Sequence, residues 1–173
     1  APAGHGIVFR RTDLGGALVP ARWDMVELSK LCTLLRGENG ATVSTVEHVM
    51  AALAGTGIHN ALIDIDGPEI PILDGSSASF VFLLQSAGID LQNAPKRFLR
   101  LLRPVEIRQG EGNNLKWARL EPYHGYKLRF EIDFSHPAVD STGQTFEFDL
   151  GSGNYTRDIA RARTFGFTKD VEM

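Results

Sequence analysis

The chain has 173 residues, of which 43% are hydrophobic and 23% are charged, and its formal net charge is −3. These values suit one or two small globular domains that bury a real core. A mildly acidic chain has no basic footprint for nucleic acid, and no apolar run approaches the roughly 18 residues of a membrane helix. We therefore expect no nucleic-acid partner and no membrane span. The single cysteine, Cys32, excludes an internal disulfide and, with no signal peptide at the start, favours a cytoplasmic protein.

The first part of the chain is predicted to combine strands with two helices. Strands are expected in "GIVFRRTDL", in pieces joined by a glycine–asparagine turn within "VELSKLCTLLRGENGATVS", and in "NALIDIDG". A first helix is predicted over "VEHVMAALAG", with Ser44 as its N-cap and Glu47 in the capping-box position. It should end at Gly55 or Gly57, where glycine accepts a left-handed conformation at little cost.

A second helix is predicted over "SASFVFLLQSAG", with Asp74 or Ser76 as its cap and Gly88 as its end. The helical period places four apolar residues on one face, and these are Phe80, Leu83, Leu84 and Ala87.

The second part of the chain follows a candidate linker, "LQNAPKRF", and is predicted to be mainly β. Strands are expected in "RFLRLLRPVEIRQ", in "KWARLEPY" across a "GEGNN" turn, in "YKLRFEIDF" and in "QTFEFDL". The segment "NYTRDIARARTFGF" begins as a helix, capped near Asn154 or Thr156, and loses the helical pattern at Thr164. This order predicts an α+β fold of two sheet-and-helix domains, the first over residues 1–95 and the second over residues 96–173.

The pair Glu47–His48 at the start of the first helix is the first candidate for chemistry. Adjacent residues lie about 100° apart on a helix, so both can serve one site only at the helix N-terminus. There a neutral histidine can bind a metal while a carboxylate takes a proton from the metal's water. The alternative is that Glu47 only caps the helix and that His48 is a hydrogen-bonded, partly buried side chain.

Other polar clusters are open to two interpretations. His136 and Asp140 are four residues apart, which on a helix would place two metal ligands on one face, but Pro137 disfavours helical geometry at His136 and predicts a turn. In "RARTFGF", a threonine hydroxyl at Thr164 could donate to a developing oxyanion, or the segment could be an ordinary helix end with core phenylalanines. "PEIPILDGSS" is best explained as an extended segment followed by a cap.

Three long segments together resemble one enzyme family. "STVEHVMAALAGTGIHNALIDIDGPEIPILDGSSASFV", "IDFSHPAVDS" and "ARARTFGFTKDVE" are similar to the UDP-3-O-(3-hydroxyacyl)-N-acetylglucosamine deacetylases, zinc hydrolases of the committed step of lipid A synthesis in Gram-negative bacteria. The resemblance spans nearly the whole chain. It implies two similar α+β domains with the active site between them, Zn²⁺ as cofactor, an acylated UDP-amino sugar as substrate, and a cytoplasmic monomer.

The resemblance also implies roles for individual residues. His48 falls on a zinc ligand and Glu47 on the general base. Thr164 falls on the threonine that hydrogen-bonds the substrate carbonyl and then the oxyanion. Four further residues match positions that line the pocket or lie near the sugar nucleotide, and these are Phe165, Lys116, Asp133 and Phe134.

The family has further zinc ligands and catalytic residues after the "FGF" segment and a strand before "APAGHG". We therefore expect an internal portion of the enzyme, with its first strand missing and its second domain truncated, which binds zinc poorly and does not turn over alone. A rival hypothesis is a non-catalytic, metal-free binding homologue of the same fold. A third, a small-molecule kinase, would need a glycine-rich phosphate loop, and the sequence has none.

Overall fold

The computed structural model describes residues 1–166. Its elements in chain order are β1 (Ile7–Arg11), β2 (Ala17–Pro20), β3 (Val26–Glu27), β4 (Leu34–Arg36), β5 (Thr42–Val43), α1 (Glu47–Gly55), β6 (Ala61–Ile65), α2 (Ala78–Ala87), β7 (Val105–Gln109), β8 (Lys116–Leu120), β9 (Lys127–Glu131), α3 (Pro137–Asp140), β10 (Thr145–Asp149) and α4 (Tyr155–Asp158). The expected α+β class is confirmed.

Contacts divide the chain into two compact units. The first contains residues 1–94 and the segment that begins at Asn154, and the second contains residues 95–153. The change from the first unit to the second falls inside the predicted linker. Compact units do not by themselves delimit folding domains, so the domain bounds 1–95 and 96–173 stay a prediction.

The first unit is built from two small sheets and three helices, α1, α2 and the short α4. One sheet has the order β2-β1-β6, with β1 antiparallel to β2 and parallel to β6, and the other has the antiparallel order β3-β4-β5. The turn between β4 and β5 closes through the predicted glycine–asparagine segment, where Gly37 N–H donates to Ala41 O and Ala41 N–H donates to Asn39 Oδ1. One apolar core joins both sheets to α1, with members Phe9, Val19, Leu35, Val43, Val49, Leu53 and Ile65 among others.

The α2 helix packs with a face that matches the predicted one in part. Val81 is buried and Phe80 and Leu84 are half-buried, whereas the Leu83 side chain is 58% exposed and Ala87 is exposed. Leu83 lies two residues from Val81, about 200° around the helix, so the two cannot share a buried face. A second small core fixes this choice, because Val81 packs there with Ala52 of α1 and with Ala160.

The second unit contains two antiparallel hairpins, β7–β8 and β9–β10. The strand predicted over residues 97–109 is confirmed only for Val105–Gln109, and residues 97–104 form no strand. Residues 97–102 have no strand opposite them in the described part of the chain, because β8 pairs only with residues 105–109. An extended run becomes a strand only where a second strand supplies ladder partners.

Candidate active site

The first helix begins at Glu47 in a way that differs from the predicted capping box. Ser44 donates its N–H and its hydroxyl to Pro68 O, and its carbonyl accepts the N–H of Ile70. Ser44 therefore belongs to a parallel bridge with Glu69, and the predicted N-cap is wrong. The first helical bond runs from Met50 N–H to Val46 O, so Glu47 is the first residue of the helix.

Glu47 is held by a residue that lies 14 positions earlier. Its Oε2 accepts the N–H of Thr33 at 2.9 Å, while Thr33 O accepts the N–H of Val46 at 3.4 Å. The backbone of a single residue, Thr33, thus holds both the carboxylate and the main chain at the helix start. A carboxylate in the first turn also faces the positive end of the helix dipole.

His48 follows as the second residue of the helix and is half-buried. Its neighbour Val49 is buried in the main core. The imidazole and the Glu47 carboxylate both project from the first turn, which is the only part of a helix where adjacent side chains can serve one site.

The chain enters this helix through a strained residue. Thr45 has a positive φ of 56° and its side chain is almost fully buried. Its hydroxyl donates to Glu69 Oε1 at 2.6 Å. Glu69 therefore has a structural task, as expected for the "PEIPILDGSS" segment.

Asp74 in the same segment is also engaged locally. Its Oδ1 accepts the N–H and the hydroxyl of Ser76. The Ser76 hydroxyl lowers the pKa of Asp74, with help from the Ser76 N–H and from the charge of Arg163. Neither Asp74 nor Ser76 is the N-cap of α2, contrary to the prediction. The helix begins at Ala78, and Ser76 Oγ accepts the Ala78 N–H only.

Thr164 lies in the first unit, beyond a helix that is shorter than predicted. The predicted cap at Asn154 is confirmed, because its side chain accepts the Arg157 N–H, but α4 ends at Asp158. The Thr164 N–H donates to Gly75 O at 2.8 Å. Phe165 follows it in the same segment with 54% of its surface exposed, and Phe167 lies outside the described residues.

The other candidate substrate contacts lie in the second unit. Lys116 is exposed at the start of β8, opposite Gln109. Asp133 and Phe134 follow β9 and are exposed, and the Gln144 side chain bonds both the N–H and the carbonyl of Phe134. The structure thus brings together Glu47 and His48 on one helix and keeps Thr164 and Phe165 in the same unit, with the remaining three elsewhere in the chain.

His136 has a local role. It is the N-cap of α3, in extended conformation, and its Nδ1 accepts the N–H of Ala138 at 3.1 Å. Pro137 occupies the first helical position, where its missing N–H costs nothing. The expected avoidance of helical geometry at His136 is confirmed, and the side chain of Asp140 lies outside what the structure describes.

Sequence reasoning missed the residues that hold the site in place. Thr33 bonds Glu47, Gly75 bonds Thr164, and Ser77 bonds the α4 segment. Nothing in the spacing of these residues signals such pairings, since Ser77 and its partner Tyr155 are 78 positions apart.

The fold is α+β, and the candidate site places a carboxylate and an imidazole in the first turn of one helix. The family model of the UDP-3-O-acyl N-acetylglycosamine deacetylases (LpxC) matches residues 1–173. The chain belongs to this family. It is a family of deacetylases in lipid A synthesis that act on a small-molecule substrate. Within the described residues, no helix combines the length and the apolar character that crossing a bilayer requires.

Proposed function

We propose that this protein removes the N-acetyl group from UDP-3-O-acyl-N-acetylglucosamine, the committed step of lipid A and lipopolysaccharide synthesis, in the cytoplasm of Gram-negative bacteria. The family match over the whole chain carries this proposal. The Glu47–His48 pair at the helix start supports it, because hydrolysis of an amide needs a base that can take a proton from water.

Glu47 is the proposed general base. The Thr33 N–H donates to one carboxylate oxygen, Oε2, and restrains the position of the group. The second oxygen then takes the proton of the attacking water at a defined position. A fixed base of this kind contributes about a hundredfold to ten-thousandfold in rate.

Thr164 is the proposed oxyanion donor. Its backbone N–H is already bonded to Gly75 O, so the segment is fixed and the side-chain hydroxyl is the group that can serve the substrate. Donation to the carbonyl oxygen strengthens as negative charge develops on it. Phe165, Lys116, Asp133 and Phe134 are the proposed substrate contacts.

Zn²⁺ is the proposed cofactor, with His48 as one ligand. A bound zinc ion lowers the pKa of its water and polarises a carbonyl. Within residues 1–166 no group of three His, Cys, Asp or Glu side chains is placed to hold a metal ion. These residues therefore offer one imidazole toward the three ligands of a catalytic zinc site and do not complete it. We accordingly propose that residues 1–166 by themselves have no deacetylase activity.

The test is Glu47→Gln in the full-length enzyme. Glutamine keeps an oxygen that accepts the Thr33 N–H but cannot take a proton, so kcat should fall at least about a hundredfold with unchanged thermal stability. The matched control is Glu69→Gln, which keeps the acceptor for Thr45 and should leave kcat within about twofold. Metal analysis of the parent protein accompanies the assay.

Two results would contradict the proposal. A Glu47→Gln enzyme with nearly parental kcat would remove Glu47 as the base. A full-length parent that carries no zinc and releases no acetate would instead favour the metal-free binding homologue.

A further inference from the structure

A buried serine links α2 to the segment that carries Thr164. The Ser77 side chain is 6% exposed, and its Oγ lies 2.7 Å from Tyr155 Oη and 3.2 Å from Ala160 O. A carbonyl can only accept, so the single Ser77 proton goes to Ala160 O. Tyr155 must then donate to Ser77. The result is a directed relay from the Tyr155 hydroxyl through Ser77 to the Ala160 carbonyl.

The Tyr155 ring packs the segment that leads to Thr164 against α1. A Cβ on Gly55, the last residue of α1, would lie 2.0 Å from Tyr155 Cδ1, so the ring packs directly on the glycine. Burial raises the pKa of the Tyr155 hydroxyl. The hydroxyl therefore stays protonated and can donate near neutral pH.

The loop over residues 75–77 makes a third hydrogen bond to the segment that carries Thr164. Gly75 O accepts the Thr164 N–H at 2.8 Å, and a Cβ on Gly75 would lie 3.4 Å from Thr164 Cγ2. Ala160 is buried against Ala52 and Val81 between the first and last of these bonds. The loop thus bonds Tyr155, Ala160 and Thr164 in turn along one stretch of chain.

We infer that Ser77 and Tyr155 are positioning residues, which hold the Thr164 hydroxyl at a fixed place in the unit that contains Glu47. This inference rests on the proposed role of Thr164 in the deacetylation. The relay acts on the backbone at Ala160, four residues before Thr164, and the ring acts on α1, which begins with Glu47. Loss of either hydroxyl loosens the segment, and a misplacement of about 1 Å can cost about a hundredfold in rate.

The experiment measures kcat and KM of the full-length enzyme for Ser77→Ala, Tyr155→Phe and Thr164→Ala, and for Ser77→Ala combined with Thr164→Ala. Each of the first two should lower kcat about tenfold with KM nearly unchanged, and Ser77→Thr, which keeps the hydroxyl, should restore it. In the double variant, Ser77→Ala should cause no further loss, because a positioning residue acts only through the group it positions. Tyr123→Phe, which removes a hydroxyl bonded to Asp149 in the second unit, is the matched control and should be silent.

The outcomes separate this inference from the proposed function. If Thr164→Ala leaves kcat unchanged, the role of Thr164 and the inference fall together. If Thr164→Ala lowers kcat while Ser77→Ala and Tyr155→Phe do not, the inference alone is overturned. An equal loss from Ser77→Ala with and without Thr164 would show a general structural effect and would also overturn it. Should Ser77→Ala fail to fold, Tyr155→Phe carries the same test, since it keeps the ring on Gly55.

Discussion

Thr45, two residues before α1, combines an unfavourable backbone conformation with a favourable side-chain hydrogen bond. A β-branched residue with a φ of 56° is an outlier that costs on the order of 1–3 kcal/mol. The hydroxyl bond to Glu69 offsets part of this cost and joins the helix start to the segment that leads to Gly75. The turn at Thr45 also takes the chain from the bridge at Ser44 into the first turn with Glu47 and His48.

Thr45→Val tests how much that bond contributes. Valine keeps the shape and the backbone strain but removes the donor to a charged acceptor, so the free energy of unfolding should fall by about 1–2 kcal/mol. Urea unfolding followed by circular dichroism measures the change. Thr142→Val is the control, because that exposed hydroxyl donates only to Val139 O and its loss should stay within about 0.5 kcal/mol. Equal losses in both variants would show that the Thr45 bond has no special weight.

At the scale of the element, α1 is terminated by its backbone and glycine. Gly57 N–H donates to Ala54 O and Ile58 N–H donates to Leu53 O, with Gly57 at a φ of 76°. This is a Schellman motif, in which a left-handed residue lets the last carbonyls find donors. The expected stop at Gly55 or Gly57 is confirmed, with Gly55 as the last helical residue and Gly57 as the left-handed one.

Gly57→Ala should destabilise the protein by about 1–2 kcal/mol, since an L-residue pays that cost in the left-handed region. A Cβ there meets nothing within 4 Å, so the effect is one of backbone conformation alone. Gly67→Ala is a matched control, because Gly67 has equally open surroundings without a positive φ. That control should be neutral or slightly stabilising. Thermal unfolding of both variants measures the effect. Equal shifts of their melting temperatures would contradict this prediction.

At the scale of the whole molecule, the two units differ in how their apolar faces are covered. The alternation predicted for β9 and β10 is confirmed, because Leu128 pairs with Phe148 and Phe130 with Phe146 on one face. Phe148 is buried, yet Phe130 is 60% exposed. A two-stranded hairpin is marginal by itself, so the described residues stabilise the first unit more than the second.

The charge distribution predicts acid sensitivity. Within the described part of the chain, every carboxyl group with a shifted pKa is shifted downward by a hydrogen-bonded arginine, serine or tyrosine partner. These groups are Asp13, Asp24, Asp64, Asp74, Glu106, Asp149 and Asp158. A group whose folded pKa lies below its unfolded value contributes stability above the unfolded value, near 4, and loses it as the pH falls through the folded value.

The melting temperature should therefore be nearly constant from pH 7 to pH 5 and should fall below about pH 4. Thermal scans at pH 7, 5, 3 and 2 measure it. Asp64→Asn, which removes the carboxyl paired with Arg10, should weaken the dependence. The same scans in 1 M NaCl should also weaken it, since salt screens exposed ion pairs. A melting temperature that stays level down to pH 2 would refute this prediction.

Neighbours along the chain fix the local features of this structure. Periodicity and turn chemistry predicted the bounds of β6 and α2 to within two residues, and the motif around Glu47 and His48 indicated the family. Tertiary structure decided which of these residues pair over long distances. Ser44 joined a bridge instead of capping a helix, Val81 was buried instead of Leu83, and Thr33 and Ser77 acquired the bonds that hold Glu47 and the Thr164 segment. A local pattern fixes which conformations a segment prefers, but the partner of a buried polar group depends on which distant segment the fold brings beside it.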